Sequence, residues 1–183
     1  IIGDVAFKFT KRRSIFMKKS ADKGTIRIRD LEFLSGVDDS VTIHKEHGAR
    51  LKLDVREVYF SPRLATERKR VMESVNEGEK ILDMFCGIGP FPIVIAREKD
   101  VEITAVDINE SAIKYLDENI RLNKLKGQIK TYCGDARKVS DEFKTKYDRI
   151  IMNLPGLAYT FLDVAVNLIE DNGIINYYEF SNS

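Results

Sequence analysis

One passage constrains the fold more than any other: Lys80-Ile81-Leu82 runs into Asp83-Met84-Phe85-Cys86-Gly87-Ile88-Gly89-Pro90 and then into Phe91-Pro92-Ile93-Val94-Ile95-Ala96. An apolar approach, an acid, two glycines and a second apolar run predict the end of a strand turning into a helix. Open α/β sheets bind ligands outside the carboxyl ends of their strands, so a ligand is expected here. Gly87 and Gly89 permit a sharp turn and a close approach of backbone to that ligand, where a Cβ would obstruct it. Asp83 offers acceptor oxygens to a cationic amino group. Two other glycine loops are disfavoured. The position three after Gly89 is Pro92, where a nicotinamide-dinucleotide loop needs its third glycine, and no Gly-x-x-x-x-Gly-Lys-Ser/Thr phosphate loop occurs. A Gly-x-Gly alone serves equally well as a tight turn, so the weight falls on the strand ends that follow.

Val101-Glu102-Ile103-Thr104-Ala105-Val106-Asp107 alternates apolar and polar residues and ends in an acid, before a helix pattern that starts at Asn109-Glu110-Ser111-Ala112. An acid there can bind a ribose diol, or can simply stabilise the positive end of the helix. Ile129-Lys130-Thr131-Tyr132-Cys133-Gly134-Asp135-Ala136 forms a third strand-to-loop passage, in which Asp135 either accepts from an adenine amino group or caps a helix. The fourth is Tyr147-Asp148-Arg149-Ile150-Ile151-Met152-Asn153-Leu154-Pro155-Gly156, a buried-strand pattern ending in an amide and a proline. Asn153 both donates and accepts, while Pro155 fixes φ and has no backbone proton. That combination suits carbonyls aimed at a planar base, although Pro-Gly is also an ordinary turn dipeptide.

At 183 residues the chain allows one full domain and a small appendage, and 43% hydrophobic residues suffice for a core. No apolar run is long enough to span a bilayer and no secretory segment is evident, which makes a cytoplasmic location the default expectation. Cys86 and Cys133 are far apart and outside any Cys-x-x-Cys pair, so both are expected as small buried side chains, with no zinc and no disulfide framework. Residues 1–77 carry 17 Lys+Arg against 12 Asp+Glu, whereas residues 78–183 carry 13 against 17. The basic half is the candidate nucleic-acid surface, with a solvated charged face as the plainer alternative.

The polar link Asn76-Glu77-Gly78-Glu79 suggests a boundary, dividing a small α+β module at 1–77 from a ligand-binding α/β domain at 78–183. Within the module, Val41-Thr42-Ile43 and Leu51-Lys52-Leu53-Asp54-Val55 read as short strands joined by a polar turn around His47-Gly48, and His44 and His47 as two turn histidines rather than metal ligands. The segment from Asp54 through Tyr59-Phe60-Ser61-Pro62-Arg63-Leu64-Ala65-Thr66-Glu67-Arg68-Lys69-Arg70 ends a strand, turns at Ser61-Pro62 and enters a helix. A base and a phosphate clamp can coexist there, because cations around Glu67 favour its ionised form; an exposed charged helix face is the competing reading.

The ordered set Arg27-Ile28-Arg29, His47-Gly48, Tyr59-Phe60-Ser61-Pro62-Arg63-Leu64, Thr66-Glu67-Arg68, Asp83 to Phe91 and Asn153-Leu154-Pro155 resembles the archaeal and eukaryotic tRNA (guanine-37-N1)-methyltransferases across nearly the whole chain. The resemblance implies an α/β fold of the class I methyltransferase (Rossmann-like) type, with S-adenosylmethionine as cofactor, tRNA as partner and no metal. By matching motif, Glu67 would remove the guanine N1 proton and Arg27 would hold O6 as negative charge develops. Asn153 and Pro155 would grip the base edge, Tyr59 would pack near base and methyl donor, and Arg68 would steady the substrate backbone. Asp83, Phe85, Gly87, Gly89, Asp107, Ile108, Asp135 and Ala136 would bind the cofactor. The chemistry agrees: N1 carries a proton and a delocalised lone pair, so its attack needs a base, worth about 10²–10⁴-fold.

Against the family pattern, the chain starts at Ile1-Ile2-Gly3 without methionine or the usual further N-terminal domain. Phe9-Thr10-Lys11-Arg12-Arg13-Ser14 is short, and the end soon after Asn176-Tyr177-Tyr178-Glu179-Phe180 precedes the last expected strands. Truncation at both ends is therefore the expectation. The rivals implied by the resemblance are wyosine-pathway methyl or aminocarboxypropyl transfer to tRNA; a non-catalytic tRNA-binding module is the alternative of another class. Asn153-Leu154-Pro155 resembles the methyltransferases more closely.

Overall fold

The structure, a computed structural model, describes residues 2–19 and 30–180. An outer layer comes first: helix α1 (Ile2–Thr10) lies on an antiparallel pair, β1 (Ser14–Lys18) and β2 (Leu31–Gly36). Gly3 is needed there because a Cβ would stand 2.7 Å from Leu34 Cβ.

Next comes a hairpin of β3 (Val41–Glu46) and β4 (Ala49–Asp54), turned by His47 and Gly48 at φ 45° and 74°. Positive φ at both central residues matches the twist of a two-residue hairpin loop. His47 is thus the turn histidine expected, with its Nε2 2.8 Å from the Ala65 carbonyl oxygen. His44 corrects the expectation: it sits in β3, with Nε2 3.1 Å from Glu46 Oε2 and its ring 4.9 Å from that of Phe60. Ser61-Pro62 then leads through one 3₁₀ turn into α2 (Ala65–Ser74).

The rest alternates strand and helix: β5 (Lys80–Asp83), α3 (Pro90–Glu98), β6 (Glu102–Asp107), α4 (Glu110–Leu122), β7 (Gln128–Cys133), α5 (Ala136–Val139), β8 (Tyr147–Met152), α6 (Leu162–Leu168) and β9 (Ile169–Tyr177). The five strands form one parallel sheet in the order β7-β6-β5-β8-β9. All four expected strand-to-loop passages therefore end on the same edge. The chain works outward from β5 to β7, then returns to the other side of β5 at β8, so the crevice lies beyond Asp83 and Met152.

The expected boundary at 76–79 is a turn in the chain and not a break in packing. Ala49, Leu51, Leu53 and Val58 share a buried cluster with Cys86, Ile88, Ile93, Val94 and Leu116, and Val71 of α2 and Val75 just after it pack with Ile81, Phe91 and Ile95. Residues from β3 onward are built into the core of the sheet, and the outer layer of α1, β1 and β2 lies outside its buried clusters.

The seam between β4 and α4 shows why. Asn119, fully buried, accepts from Lys52 N at 2.7 Å and donates to Lys52 O and Ile88 O at 3.1 and 3.0 Å; Asn123 accepts from Arg50 N and donates to Arg50 O. Four helical residues rise about 6 Å, close to the roughly 6.8 Å spanned by two strand residues. Two asparagines one turn apart thus satisfy alternate residues of the strand edge as a further strand would.

One buried charge and one exposed cysteine depart from the simple apolar reading of the strands. Arg149 in β8 is 1% exposed and donates to Glu79, to Asn176 Oδ1 and to the Ser74 carbonyl, tying α2 and β9 to the sheet. Cys86 is buried as expected, whereas Cys133 is exposed, because it ends β7 at the sheet's edge. Among the described residues no helix is long and apolar enough to cross a membrane.

Candidate active site

The glycine loop is held by backbone hydrogen bonds to its neighbours. Met84 N donates to Ile151 O and Cys86 N to Val106 O, continuing the ladders beyond β5 on both sides. Gly87, at φ 54°, donates its N–H to Asp107 Oδ2 at 2.7 Å. Gly89, at φ 83°, precedes α3 and hydrogen-bonds the Cys86 carbonyl at 2.9 Å. The two glycines serve different ends. A Cβ at Gly89 would fall 2.2 Å from Leu116 Cδ1, whereas one at Gly87 would meet nothing nearer than the Tyr59 carbonyl oxygen at 3.9 Å. Gly89 is required by packing; Gly87 faces open space.

Asp107 accepts from both Gly87 N and Asn109 N, the latter at 2.9 Å, while Asn109 itself caps α4 through Ser111 N. Burial raises the Asp107 pKa, opposed by its backbone donors at Asn109, Gly87 and Ile108. Asp83 is 1% exposed, and burial pushes its pKa up to about 8, against the single donor Phe85 N and with the Asp107 charge adding to the rise.

These loops border a cavity of about 380 Å³, within the size range of small-molecule sites. It brings together Phe85, Gly87 and Asp107 from the glycine-loop side, Asn153, Leu154 and Pro155 from the loop after β8, and Tyr59 and Arg68 from the segment entering α2. Asp83, Gly89, Ile108, Asp135, Ala136 and Glu67 are not on its wall. Asp83 lies beneath the loop, and Ile108 is 49% exposed. Asp135 accepts from Arg137 N at 2.9 Å and starts the short α5, the capping alternative foreseen for it, with Ala136 buried behind. Arg27 lies outside the described residues.

Arg68 has a different occupation from the backbone clamp expected. It is 1% exposed; Nε and Nη2 donate to the two oxygens of Glu46 at 2.5 and 2.6 Å, and both terminal nitrogens donate to the Ser61 carbonyl. With those donors engaged inward, Arg68 fixes the Tyr59–Ser61 turn against β3 instead of reaching toward a phosphate.

Glu67 faces a ring of donors. Arg70 binds it through Nε and Nη2 at 2.7 and 2.6 Å, and the Tyr178 hydroxyl donates to Oε1 at 2.7 Å. The Arg70 bond first, and then the Tyr178 bond, hold the Glu67 carboxyl below its ordinary pKa, against partial burial. Tyr178 does line the cavity, so Glu67 stands one side chain behind the wall.

Sequence reasoning overlooked the segment after β9. Tyr178, Glu179 and Phe180 all line the cavity; Glu179 Oε1 accepts from Gly156 N at 2.6 Å, and the Phe180 ring lies over Gly156. Their signal was present: a buried-strand pattern ending in aromatics and an acid, the strand-end logic already applied to Asn153.

Residues 42–183 match the TRM5/TYW2 methyltransferase domain. The tRNA (guanine(37)-N(1))-methyltransferase Trm5b of Pyrococcus abyssi is 49% identical over 168 residues, covering 92% of this chain and 49% of that protein. The solved complex of aTrm5 and tRNALeu superposes with a TM-score of 0.88 at 42% identity, covering 97% of this chain and 52% of that one. Methanocaldococcus jannaschii TYW2 in complex with AdoMet superposes with a TM-score of 0.70 at 36% identity, covering 81% of this chain and 67% of that one. The chain spans about half the length of the curated relatives it matches. A family domain aligned over most of its residues, on a parallel sheet with the matching glycine loop, places the chain in the TRM5/TYW2 methyltransferase family.

Proposed function

We propose that this cavity binds S-adenosylmethionine and an extruded guanosine, and that the protein methylates N1 of guanosine 37 in tRNA. The observation that carries this reading is the meeting of Gly87 and Asp107 with Asn153, Pro155 and Tyr59 around one cavity at the switch point of the sheet.

The chain's residues fit the cofactor. Gly87 leaves room that a Cβ would take, and Asp107, fixed by backbone donors that include Gly87 and Asn109, offers acceptor oxygens to a ribose diol. Phe85, on the same wall, offers an aromatic surface. S-adenosylmethionine, when bound, supplies an electrophilic methyl group on a sulfonium.

The other residues handle the base. Extruding a stacked guanine costs a few kcal/mol, which the half-buried Tyr59 and Phe60 offset in part by aromatic contact. Asn153 presents a donor and an acceptor to the base edge, and Pro155 brings a carbonyl without a competing N–H. Glu67, kept ionised by Arg70, is the acceptor for the N1 proton, reached beside Tyr178. On the family resemblance, Arg27 holds O6 as the N1 proton leaves.

The basic excess of residues 1–77 supports tRNA as the partner through phosphate contacts. Mass analysis of tRNA after incubation with the protein and S-adenosylmethionine tests the reading. A methyl increment confined to position 37 supports it; an aminocarboxypropyl increment, or bound but unmodified tRNA, refutes it.

A further inference from the structure

We propose that Tyr178 is a positioning residue for the proton acceptor: its hydroxyl orients the Glu67 carboxylate and couples it to the Asn153–Gly156 loop. This inference rests on the reading of Glu67 as the base.

Glu67 rides on α2, whose exposed Arg70 can hold the carboxylate only from the helix's own solvent side. Without a second contact, the pair is free to swing together away from the cavity, since half-exposed ion pairs fix geometry weakly. Tyr178 supplies that contact from an element 111 residues away, through a 2.7 Å hydrogen bond to Oε1. Its own place is well determined. The ring lies 5.8 Å from that of Phe91 on α3, and its backbone N donates to Met152 O, the residue before Asn153. The adjacent Glu179 binds Gly156 N at 2.6 Å. Two consecutive residues therefore reach in different directions, one to the base on α2 and the other to the loop that receives the substrate. Any displacement of that loop is transmitted to Glu67 through a single short segment.

Among the described residues, the charged and titratable groups facing Glu67 are Arg70 from its own helix and Tyr178 from beyond β9; Asp83 at the end of β5 acts on Tyr178 in turn. Removing the Tyr178 hydroxyl takes away a donor that lowers the Glu67 pKa, so the acid limb of the rate profile moves to higher pH. A change acting only through general loosening would leave that limb in place.

The test is single-turnover methylation of tRNA by the protein at its natural length, comparing Y178F, E67Q and the double variant across pH. Y178F is expected to slow the chemical step about 10-fold with unchanged KM for tRNA and an acid limb at higher pH. In the E67Q background it should add no further loss, since the hydroxyl acts through the carboxylate. Unchanged dissociation of S-adenosylmethionine from Y178F verifies that the cavity is intact. A Y178F profile that superposes on the parent, or a full additional loss on top of E67Q, overturns the inference. If E67Q itself is as fast as the parent, the fault lies instead with the reading of Glu67 as base.

Discussion

On one side of the cavity, Gly87 hangs from Asp107, Asp107 from Asn109, and the intervening loop from the ladders of β6 and β8. On the other side, Glu67 is held by Arg70 and Tyr178, and Gly156 by Glu179. The first wall is held by backbone N–H groups, which donate to the neighbouring strands and to the buried Asp107 carboxylate. The second is made by side chains brought from distant segments, and several are partly open to solvent. A ligand common to a whole fold can be met by the first arrangement, while a particular base calls for the second, because donors and acceptors specific to one edge come from side chains.

Substitutions should separate the two walls. The largest effect is expected from E67Q, which keeps the size of the side chain and removes the proposed proton acceptor: the chemical step falls by about 10²–10⁴-fold, while affinity for S-adenosylmethionine measured calorimetrically changes little. A loss of cofactor affinity equal to the loss of rate would mean that the two walls are not independent.

The glycine loop divides further within itself. G89A forces a Cβ to within 2.2 Å of Leu116 Cδ1 at a residue with φ 83°, and should cost roughly 3 kcal/mol in denaturant unfolding. G87A meets no such clash, so its stability loss should be limited to about 1–2 kcal/mol of backbone strain, with the greater change in cofactor affinity. Equal destabilisation by the two would break the distinction drawn between packing and ligand space.

Asp83 provides a pH test of the buried wall. Its folded-state pKa of about 8 lies above the unfolded value, so the folded state holds the proton more tightly. The stability this confers is complete below the unfolded pKa and is lost as pH rises through about 8. Between about pH 5 and 8 the parent should therefore lose roughly 3 kcal/mol that D83N does not lose, read from Tm against pH. A parent and variant with parallel profiles would place the Asp83 carboxyl in a better-solvated site.

How far the sequence revealed this arrangement follows from the same contrast. Asp83-to-Phe91 and Val101-to-Asp107 are local patterns: strand, acid and turn residues lie within ten positions, and local patterns survive reading without a structure. Of the two roles considered for Asp107, helix entry is seen in the bond from Asn109 N and the ribose contact belongs to the proposed function; its hold on Gly87 N was not foreseen. Gly89 was legible as a glycine that mattered but not for its reason, since Leu116 is a neighbour only in the folded chain. Glu67 was visible because charges cluster around it, yet its partner Tyr178 lies 111 residues on. The pairing of Arg68 with Glu46 was not legible, because the strand read as Val41-Thr42-Ile43 runs on to Glu46, 22 residues before its partner. The boundary at 76–79 was read from composition, whereas α2 and the hairpin are joined to the sheet by Val71, Val75 and the Asn119–Lys52 seam, which composition does not register.

The smallest expected effect concerns Glu179, and it bears on the second wall alone. Its carboxylate accepts from Gly156 N, from Phe180 N at 2.8 Å and from the Tyr177 hydroxyl at 3.0 Å, all near the surface. Exposed bonds are partly replaced by water, so E179A should cost on the order of 1 kcal/mol. Because Gly156 follows Asn153-Leu154-Pro155 directly, that loss should fall on placement of the base. KM for tRNA should rise roughly 5-fold with cofactor affinity unchanged. A rise in the dissociation constant for S-adenosylmethionine with KM for tRNA untouched would put Glu179 on the cofactor wall, and the division between a backbone-built and a side-chain-built half of the cavity would have to be redrawn through Gly156.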